Sequence, residues 1–275
     1  MQNTISFMSA NYVARQVGYN MTDGWGQGDK TTNAHFEPIE TFPQRFEELL
    51  QDIQAMGYRA MDLWNAHLSY TWATRAHLDA ARELLDRHEM PVISLAGWFG
   101  STREEFEATC RVATAVGCRV LGGSTSMWQK EPDFVAALLE EHDLTLGLEN
   151  HPEKDPQELL ARVGDGAGGR VGVCVDTGWF GTQGYDAAQA LEELRGYHVH
   201  VHLKDVLAVG AHDTCRYGRG VVPIEECLRV LARIGYRGGI SMEHEPELFD
   251  PTEDSITNLQ MLRDWMQQSQ SAYEP

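Results

Sequence analysis

Short apolar runs alternate with amphipathic segments along nearly the whole chain. The strand-like runs cover residues 5–10, 59–64, 91–97, 119–124, 144–150, 171–177, 197–205 and 239–245. In the segments between them, apolar residues recur every three or four positions, as on one face of a helix. These helical segments cover 41–57, 74–89, 101–117, 132–142, 155–163, 185–195, 223–234 and 253–268. Eight strands and eight helices are therefore expected in alternation.

Strict alternation of strands and helices predicts a parallel sheet with helical crossovers. Eight such units within 275 residues match the size of a (β/α)8 barrel. An open, doubly wound sheet is the alternative, but eight regular units without a glycine-rich nucleotide fingerprint favour closure. We therefore predict an α/β fold with a single domain, a (β/α)8 TIM barrel over residues 1–275.

Residues 11–40 form an irregular stretch in this pattern, and it is long for a connection between a strand and a helix. The stretch contains Trp25, His35 and Phe36 among several glycines. It would either fold over the mouth of the barrel as a lid or form an oligomer contact.

Four acidic or imidazole side chains stand near the ends of four successive strand-like runs. They are Glu149, Asp176, His202 and Glu243. At the strand period of two, each shares its face with small or polar residues, while bulky apolar residues occupy the other face. Active sites of parallel barrels lie at the carboxyl ends of the strands. A single metal site at the mouth would account for all four residues at once, whereas separate polar residues satisfied by hydrogen bonds are the structural alternative.

Charge and composition limit the partners. The formal net charge is −19, which disfavours binding to nucleic acid and to anionic membranes. No apolar run approaches the roughly 20 residues needed to cross a bilayer. Five cysteines without framework spacing and an N-terminus without a signal-peptide pattern indicate a cytoplasmic protein. The sequence leaves open a homo-oligomer or a complex with a different subunit.

Three carboxylates and one imidazole make an oxygen-rich ligand set. Such a set favours one divalent ion, Mn²⁺ first, with Mg²⁺, Co²⁺ or Zn²⁺ as alternatives. An ion with open positions can bind neighbouring oxygens of a small-molecule sugar or cyclitol and stabilise the enediolate formed when the α-proton leaves. Glu149 and Glu243 could each bind the ion with one oxygen and take the proton with the other. The outcome would be isomerisation or epimerisation, or, with a β leaving group, dehydration or another lyase reaction.

Several further residues are candidates for the same site. His151, in the segment GLENHP, is either a catalytic base or a loop histidine held by the backbone. Lys204 shares the facing of His202, and an inward lysine in a barrel requires a partner. The remaining predicted substrate-binding residues are Arg216, Trp64, Trp98 and Asp62, of which Asp62 would alternatively support the ligands from behind.

The segments GLENHP, CVDTGW, HVHLKD, GRGVVP and ISMEHEP resemble, in this order, the sugar phosphate isomerase/epimerase superfamily of xylose isomerase-like TIM barrels. The resemblance implies a divalent metal held by Glu149, Asp176, His202 and Glu243, with both glutamates taking part in proton transfer. Members of this group include ketose 3-epimerases, hydroxypyruvate isomerase, inosose dehydratase, inosose isomerase and lyases acting on 3-oxo-glycosides, including C-glycoside deglycosidases. In those lyases the implied base is a histidine near the metal, a role that His151 matches.

One departure from the family pattern bears on the choice among these activities. Trp179 stands where epimerases and the endonuclease IV branch commonly have a histidine, three residues after the aspartate. This departure and the acidic charge both argue against an endonuclease function. The departure also favours a dehydratase or lyase over a ketose 3-epimerase. A metal-dependent isomerase or epimerase is the first prediction, the lyase is the alternative, and an endonuclease or a noncatalytic sugar-binding barrel is less favoured.

Overall fold

The computed structural model describes residues 3–273, and the side chains of residues 3–268. Eight parallel strands close into a barrel, since the first strand pairs with both the second and the last. In chain order they are β1 (Ile5–Met8), β2 (Met61–Trp64), β3 (Val92–Trp98), β4 (Val120–Ser124), β5 (Thr145–Glu149), β6 (Val171–Asp176), β7 (His198–Val206) and β9 (Ile240–Glu243). A short β8 (Thr214–Cys215) pairs antiparallel with the end of β7. The predicted (β/α)8 TIM barrel is confirmed.

Helices surround the barrel. They are α1 (Trp25–Phe36), α2 (Phe42–Ala55), α3 (Arg75–Arg87), α4 (Arg103–Ala115), α5 (Met127–Lys130), α6 (Pro132–Glu141), α7 (Pro156–Val163), α8 (Thr177–Gln183), α9 (Ala187–Glu193), α10 (Ile224–Arg233) and α11 (Thr252–Tyr273). Eight of them coincide with the predicted segments, and α1, α5 and α8 are additional. No helix among residues 3–273 is both long and apolar enough to cross a membrane.

Local sequence signals explain several helix ends. Thr102 caps α4 by accepting a hydrogen bond from the backbone N–H of Glu105, while the Glu105 carboxylate accepts one from the Thr102 N–H. Asp155 caps α7 in the same way through the Glu158 N–H. These caps satisfy backbone donors that would otherwise lack partners, so helix starts could be read from the sequence.

Residues 11–40 differ from the predicted irregular stretch, because much of this segment is helical. It contains the end of one short 3-10 helix (Ser9–Tyr12), the whole of a second (Arg15–Val17) and the whole of α1. The segment packs closely: a Cβ added to Gly28 would lie 2.4 Å from the carbonyl oxygen of Val13. Two glycines and few apolar residues weaken the helical pattern of α1, which is why periodicity did not reveal it. Its role as a lid or as an oligomer contact stays a prediction.

The two faces of the strands differ as the alternation predicted. Leu146, Leu148, Val173 and Val175 are fully buried in the apolar core that includes the helices. The lumen instead contains polar and small groups. A Cβ added to Gly122 would lie 2.7 Å from Ser94 Oγ and 3.2 Å from Cys174 Sγ, so the interior has no spare room at that level.

Candidate metal centre

The candidate centre lies where β5, β6, β7 and β9 end. Glu149, Asp176 and Glu243 are each the last residue of a strand, and His202 lies inside the longer β7. The sheet register sets Asp176 beside His202 and Lys204 beside Glu243. Parallel pairing therefore brings residues that are far apart in sequence to the same end of the barrel.

The structure brings the four predicted metal ligands together. Glu149, Asp176 and Glu243 each offer a carboxylate oxygen within 4.8 Å of the others. His202 Nδ1 lies 2.8 Å from Glu149 Oε1 and 3.4 Å from Glu243 Oε2. Asp176, His202 and Glu243 are buried, while Glu149 is partly exposed. Of the four side chains, that of Glu149 is therefore the most accessible to solvent.

Asp176 is the most firmly held of the carboxylates. Its Oδ1 accepts hydrogen bonds from the backbone N–H groups of Gly178 and Trp179 at the start of α8, at 2.7 and 3.2 Å. Asn150 clamps the Asp176 backbone, because its amide both accepts from the N–H and donates to the carbonyl. Burial raises the pKa of Asp176, and Lys204 opposes that shift. Only Oδ2 of this carboxylate faces the rest of the cluster.

Lys204 is a buried cation in contact with three carboxylates. Its Nζ lies 3.2 Å from Asp176, 2.5 Å from Glu243 and 3.1 Å from Glu245. Burial disfavours the ammonium form, but the three acids outweigh it and raise the pKa of Lys204 well above its usual value. Gly178 leaves room for the lysine stem, since a Cβ there would lie 2.5 Å from Lys204 Cγ.

The centre carries more negative than positive charge. Among the described residues, two cationic groups contact the five acids Asp62, Glu149, Asp176, Glu243 and Glu245, and they are His202 and Lys204. His200 also contacts Asp62, but burial lowers the pKa of His200. Burial raises the pKa of Glu245 to about 8, and with this group protonated four carboxylates still outnumber two cations. Glu243 Oε2 is buried and accepts no hydrogen bond from the described residues. A ligand set with this excess of negative charge fits a divalent cation, which would balance the charge and bind the unpartnered oxygen of Glu243.

His202 joins the carboxylates to a second polar layer below them. Its Nε2 lies 3.1 Å from Asp62 Oδ2, which also accepts from His200 and Ser241. Burial lowers the pKa of His202, but Cys174, Asp62 and Glu149 together raise it by more. Asp62 is fully buried beneath His202, so in this arrangement it supports the imidazole and is not exposed to a substrate.

His151 stands at the edge of the centre. Its ring lies edge-on to Trp179 with 3.7 Å between centroids, and it belongs to none of the ligand clusters among the described residues. The loop that carries it is fixed by Arg162, which donates to the Glu149 carbonyl and to Glu153. His151 is exposed to solvent. Its role as a base stays a prediction.

The other predicted substrate-binding residues fall into different surroundings. Trp64 is 3% exposed and packs edge-on against Trp25, whereas Trp98 is 48% exposed at the end of β3. Arg216 lies 4.0 Å from Asp254 at the start of α11. Of the three, Trp98 alone offers a large exposed surface, and the substrate role of all three stays a prediction.

Sequence reasoning missed Glu245 and Asn150. Glu245 follows Glu243 by two positions, so the strand period that exposed Lys204 beside His202 could have found it. Asn150 acts through the backbone of Asp176 across the β5–β6 pair, and no feature of the one-dimensional pattern indicates such a contact.

Comparisons with known proteins agree with this architecture. A family model described as a xylose isomerase-like TIM barrel matches residues 50–265. An L-ribulose 3-epimerase structure is 12% identical, with a TM-score of 0.70 and coverage of 99% of this chain and 100% of that chain. The IolI protein with a bound zinc atom is 15% identical, with a TM-score of 0.66 and coverage of 97% and 99%.

A third similar structure is the probable 3-DHS dehydratase AsbF of Bacillus anthracis. It is 12% identical, has a TM-score of 0.66, and covers 94% of this chain and 98% of that one. No curated protein shows significant sequence similarity to the chain. The family match spans most of the barrel, and the chain belongs to the xylose isomerase-like TIM barrel family.

Proposed function

We propose that the protein is a divalent-metal-dependent enzyme that isomerises or epimerises a sugar or cyclitol by removing a proton next to a carbonyl. One observation carries the proposal: three carboxylates, Glu149, Asp176 and Glu243, converge within 4.8 Å beside the Nδ1 atom of His202. Scattered structural carboxylates have no reason to share one point with so few cations.

These four residues would hold the ion. Mn²⁺ suits the three oxygen donors best, while zinc, the ion bound by the IolI protein of the same fold, is the main alternative. When bound, the ion supplies Lewis-acid polarisation of the substrate carbonyl.

The proton transfer belongs to the glutamates. Glu149 and Glu243 lie on β5 and β9, which β6 and β7 separate in the barrel. In this proposal their carboxylates flank the substrate carbon and act as two bases on its opposite faces. Lys204 Nζ, held by Asp176, Glu243 and Glu245, donates a hydrogen bond to a substrate oxygen and helps to hold the substrate for deprotonation.

A lyase is the second candidate, and the surroundings of His151 favour it. The histidine is exposed, lies outside the carboxylate cluster and contacts Trp179. A base in that position removes the α-proton, and the electron pair left on the α-carbon forms a double bond to the β-carbon while the β substituent leaves with its bonding electrons. The AsbF protein, a probable dehydratase, has the same fold.

The proposed partners follow from the charge of the chain and of the site. A net charge of −19 and an acidic mouth disfavour nucleic acid and favour a small, hydroxylated substrate. We also propose a cytoplasmic location, on the unpaired, buried state of all five cysteines. An oligomer with itself or with another subunit is compatible with these features.

Incubation in D₂O separates the two activities. Metal-loaded protein is mixed with a panel of ketopentoses, ketohexoses and inososes, and the recovered compounds are analysed by mass spectrometry and NMR. Deuterium in a recovered sugar or its isomer supports the first activity, while loss of water or of a leaving group supports the lyase. Metal-loaded protein that binds a panel member without exchange or turnover would contradict an enzymatic function.

A further inference from the structure

Asp62 is a buried carboxylate in the lumen of the barrel, one layer below the candidate ligands. A single oxygen, Oδ2, accepts hydrogen bonds from three donors. They are His200 Nε2 at 2.8 Å, His202 Nε2 at 3.1 Å and Ser241 Oγ at 2.8 Å. Its side chain is fully buried, and no lysine or arginine of the described residues forms an ion pair with it. Such a charge is costly to bury, so its position requires an explanation beyond packing.

The hydrogen bond from His202 fixes the role of each ring nitrogen. An ionised carboxylate can only accept, so Nε2 carries the proton. The other nitrogen, Nδ1, is the one that faces Glu149 at 2.8 Å and Glu243 at 3.4 Å. Without a metal, Nδ1 also donates its proton in a hydrogen bond to Glu149, and a cation bound by the carboxylate cluster would replace that proton while Nε2–H stays on Asp62.

The Asp62 layer is better explained as a support than as an ion site of its own. Asp62 Oδ2 lies 2.8 and 3.1 Å from the two imidazole nitrogens, and both are hydrogen-bond distances. The same oxygen accepts from Ser241, which in turn contacts Ser6 at 2.7 Å.

We propose that Asp62 is a positioning residue that holds His202 in the Nε2–H form and so aims Nδ1 at a cation bound by Glu149, Asp176 and Glu243. The inference rests on the metal centre of the proposed function. It assigns to Asp62 a role in metal affinity, in place of substrate contact. Carboxylates behind a metal-binding histidine orient the ring and strengthen it as a donor.

Zn²⁺ titration by calorimetry tests this role without measuring activity. Asp62→Asn keeps the shape of the side chain but removes its charge, and Ser241→Ala removes a different donor to the same oxygen. We expect Asp62→Asn to weaken Zn²⁺ binding by about 10–100-fold and Ser241→Ala to leave affinity within about threefold. Circular dichroism melting of each metal-free variant shows that the barrel is folded.

A spectroscopic readout separates positioning from general stability. In ¹⁵N-histidine-labelled protein with Zn²⁺, His202 should show a protonated Nε2 and a metal-shifted Nδ1, with His202→Asn identifying the signals. A Zn²⁺-bound Nε2, or equal affinity of a folded Asp62→Asn variant, overturns this inference alone. Failure of the unchanged protein to bind Zn²⁺ and Mn²⁺ overturns it together with the proposed metal centre.

Discussion

The two halves of the barrel rim are built from opposite kinds of residue. Strands β5, β6, β7 and β9 carry carboxylates, an imidazole and an ammonium group at the mouth. Strands β1, β2 and β3 end in Met8, Trp64 and Trp98, and the first two belong to an apolar cluster with residues of the 11–40 segment. One regular fold therefore presents a charged half and an apolar half to the same opening.

The difference shows that the halves depend on different forces. The apolar half is stabilised by burial, since Met8, Val13 and Trp64 are nearly inaccessible to solvent. Among the described residues, the charged half has four carboxylates, those of Glu149, Asp176, Glu243 and Glu245, against the two cationic groups of His202 and Lys204, so its acids repel one another unless a further cation joins them. Substitutions in the charged half should change metal binding and turnover, whereas those in the apolar half should change stability or substrate affinity.

The largest expected effect comes from the two glutamates of the charged half. Glu149→Gln or Glu243→Gln should lower turnover by about 10²–10⁴-fold or more, because each removes a proposed base along with a ligand charge. Steady-state kinetics at saturating metal measure this. Glu247→Gln, at an exposed position on the same rim, is the matched control. Unchanged turnover in both test variants would refute their assignment.

Lys204 should affect metal binding and turnover in opposite directions. Lys204→Met removes a cation that occupies oxygens of Asp176 and Glu243, so Mn²⁺ affinity should rise by about tenfold or more. Turnover should nevertheless fall by about 10²-fold, because the hydrogen-bond donor to the substrate is lost. Calorimetry and kinetics on the same preparation test both parts. A loss of metal affinity would show that the lysine supports the ligands instead of competing for them.

A substitution of His151 tests whether the charged half of the rim extends to the loop after β5. His151→Ala should leave the bound metal unchanged and lower activity by about 10–10²-fold if the imidazole is a base. Metal content by atomic emission and the pH profile of kcat give the two readouts. Loss of the metal would make the histidine a ligand, and full activity would leave it as a loop residue.

Substitutions of Trp98 and Trp64 should have the smallest effect on activity. They contrast a substrate contact with a buried side chain within the apolar half. Trp98→Ala should raise KM by about three- to tenfold, the value of an exposed stacking contact, with no change in melting temperature. Trp64→Ala should instead lower the free energy of unfolding by about 3–5 kcal/mol, because the side chain is buried. Thermal melts beside kinetics separate the two, and equal destabilisation by both variants would contradict the contrast.

The sequence predicted the barrel well because each strand and most helices carry their own local signal. Period-two alternation placed Glu149, Asp176, His202 and Glu243 on the inward face, and parallel pairing then brought them to the same end of the barrel. The same rule identified Lys204 as an inward cation. Nothing more than strand period and chain order was required for this part of the centre.

The remaining features depend on contacts between distant segments. Helix α1 has a weak apolar stripe and is stabilised by packing, for example Trp25 on Trp64. Periodicity could not distinguish buried Trp64 from exposed Trp98, because both stand at strand ends and only the 11–40 segment covers one of them. Asp62 and its hydrogen-bond partner His202 are 140 positions apart along the chain. Local sequence patterns carry no information on contacts between such distant residues.

Anomalous diffraction from crystals soaked in Mn²⁺ is the decisive test of the metal centre. We expect one strong anomalous peak within coordinating distance of carboxylate oxygens from Glu149, Asp176 and Glu243 and of His202 Nδ1. A peak at some other place, or well-ordered crystals in which these four side chains bind no ion at saturating Mn²⁺, would contradict the proposed centre.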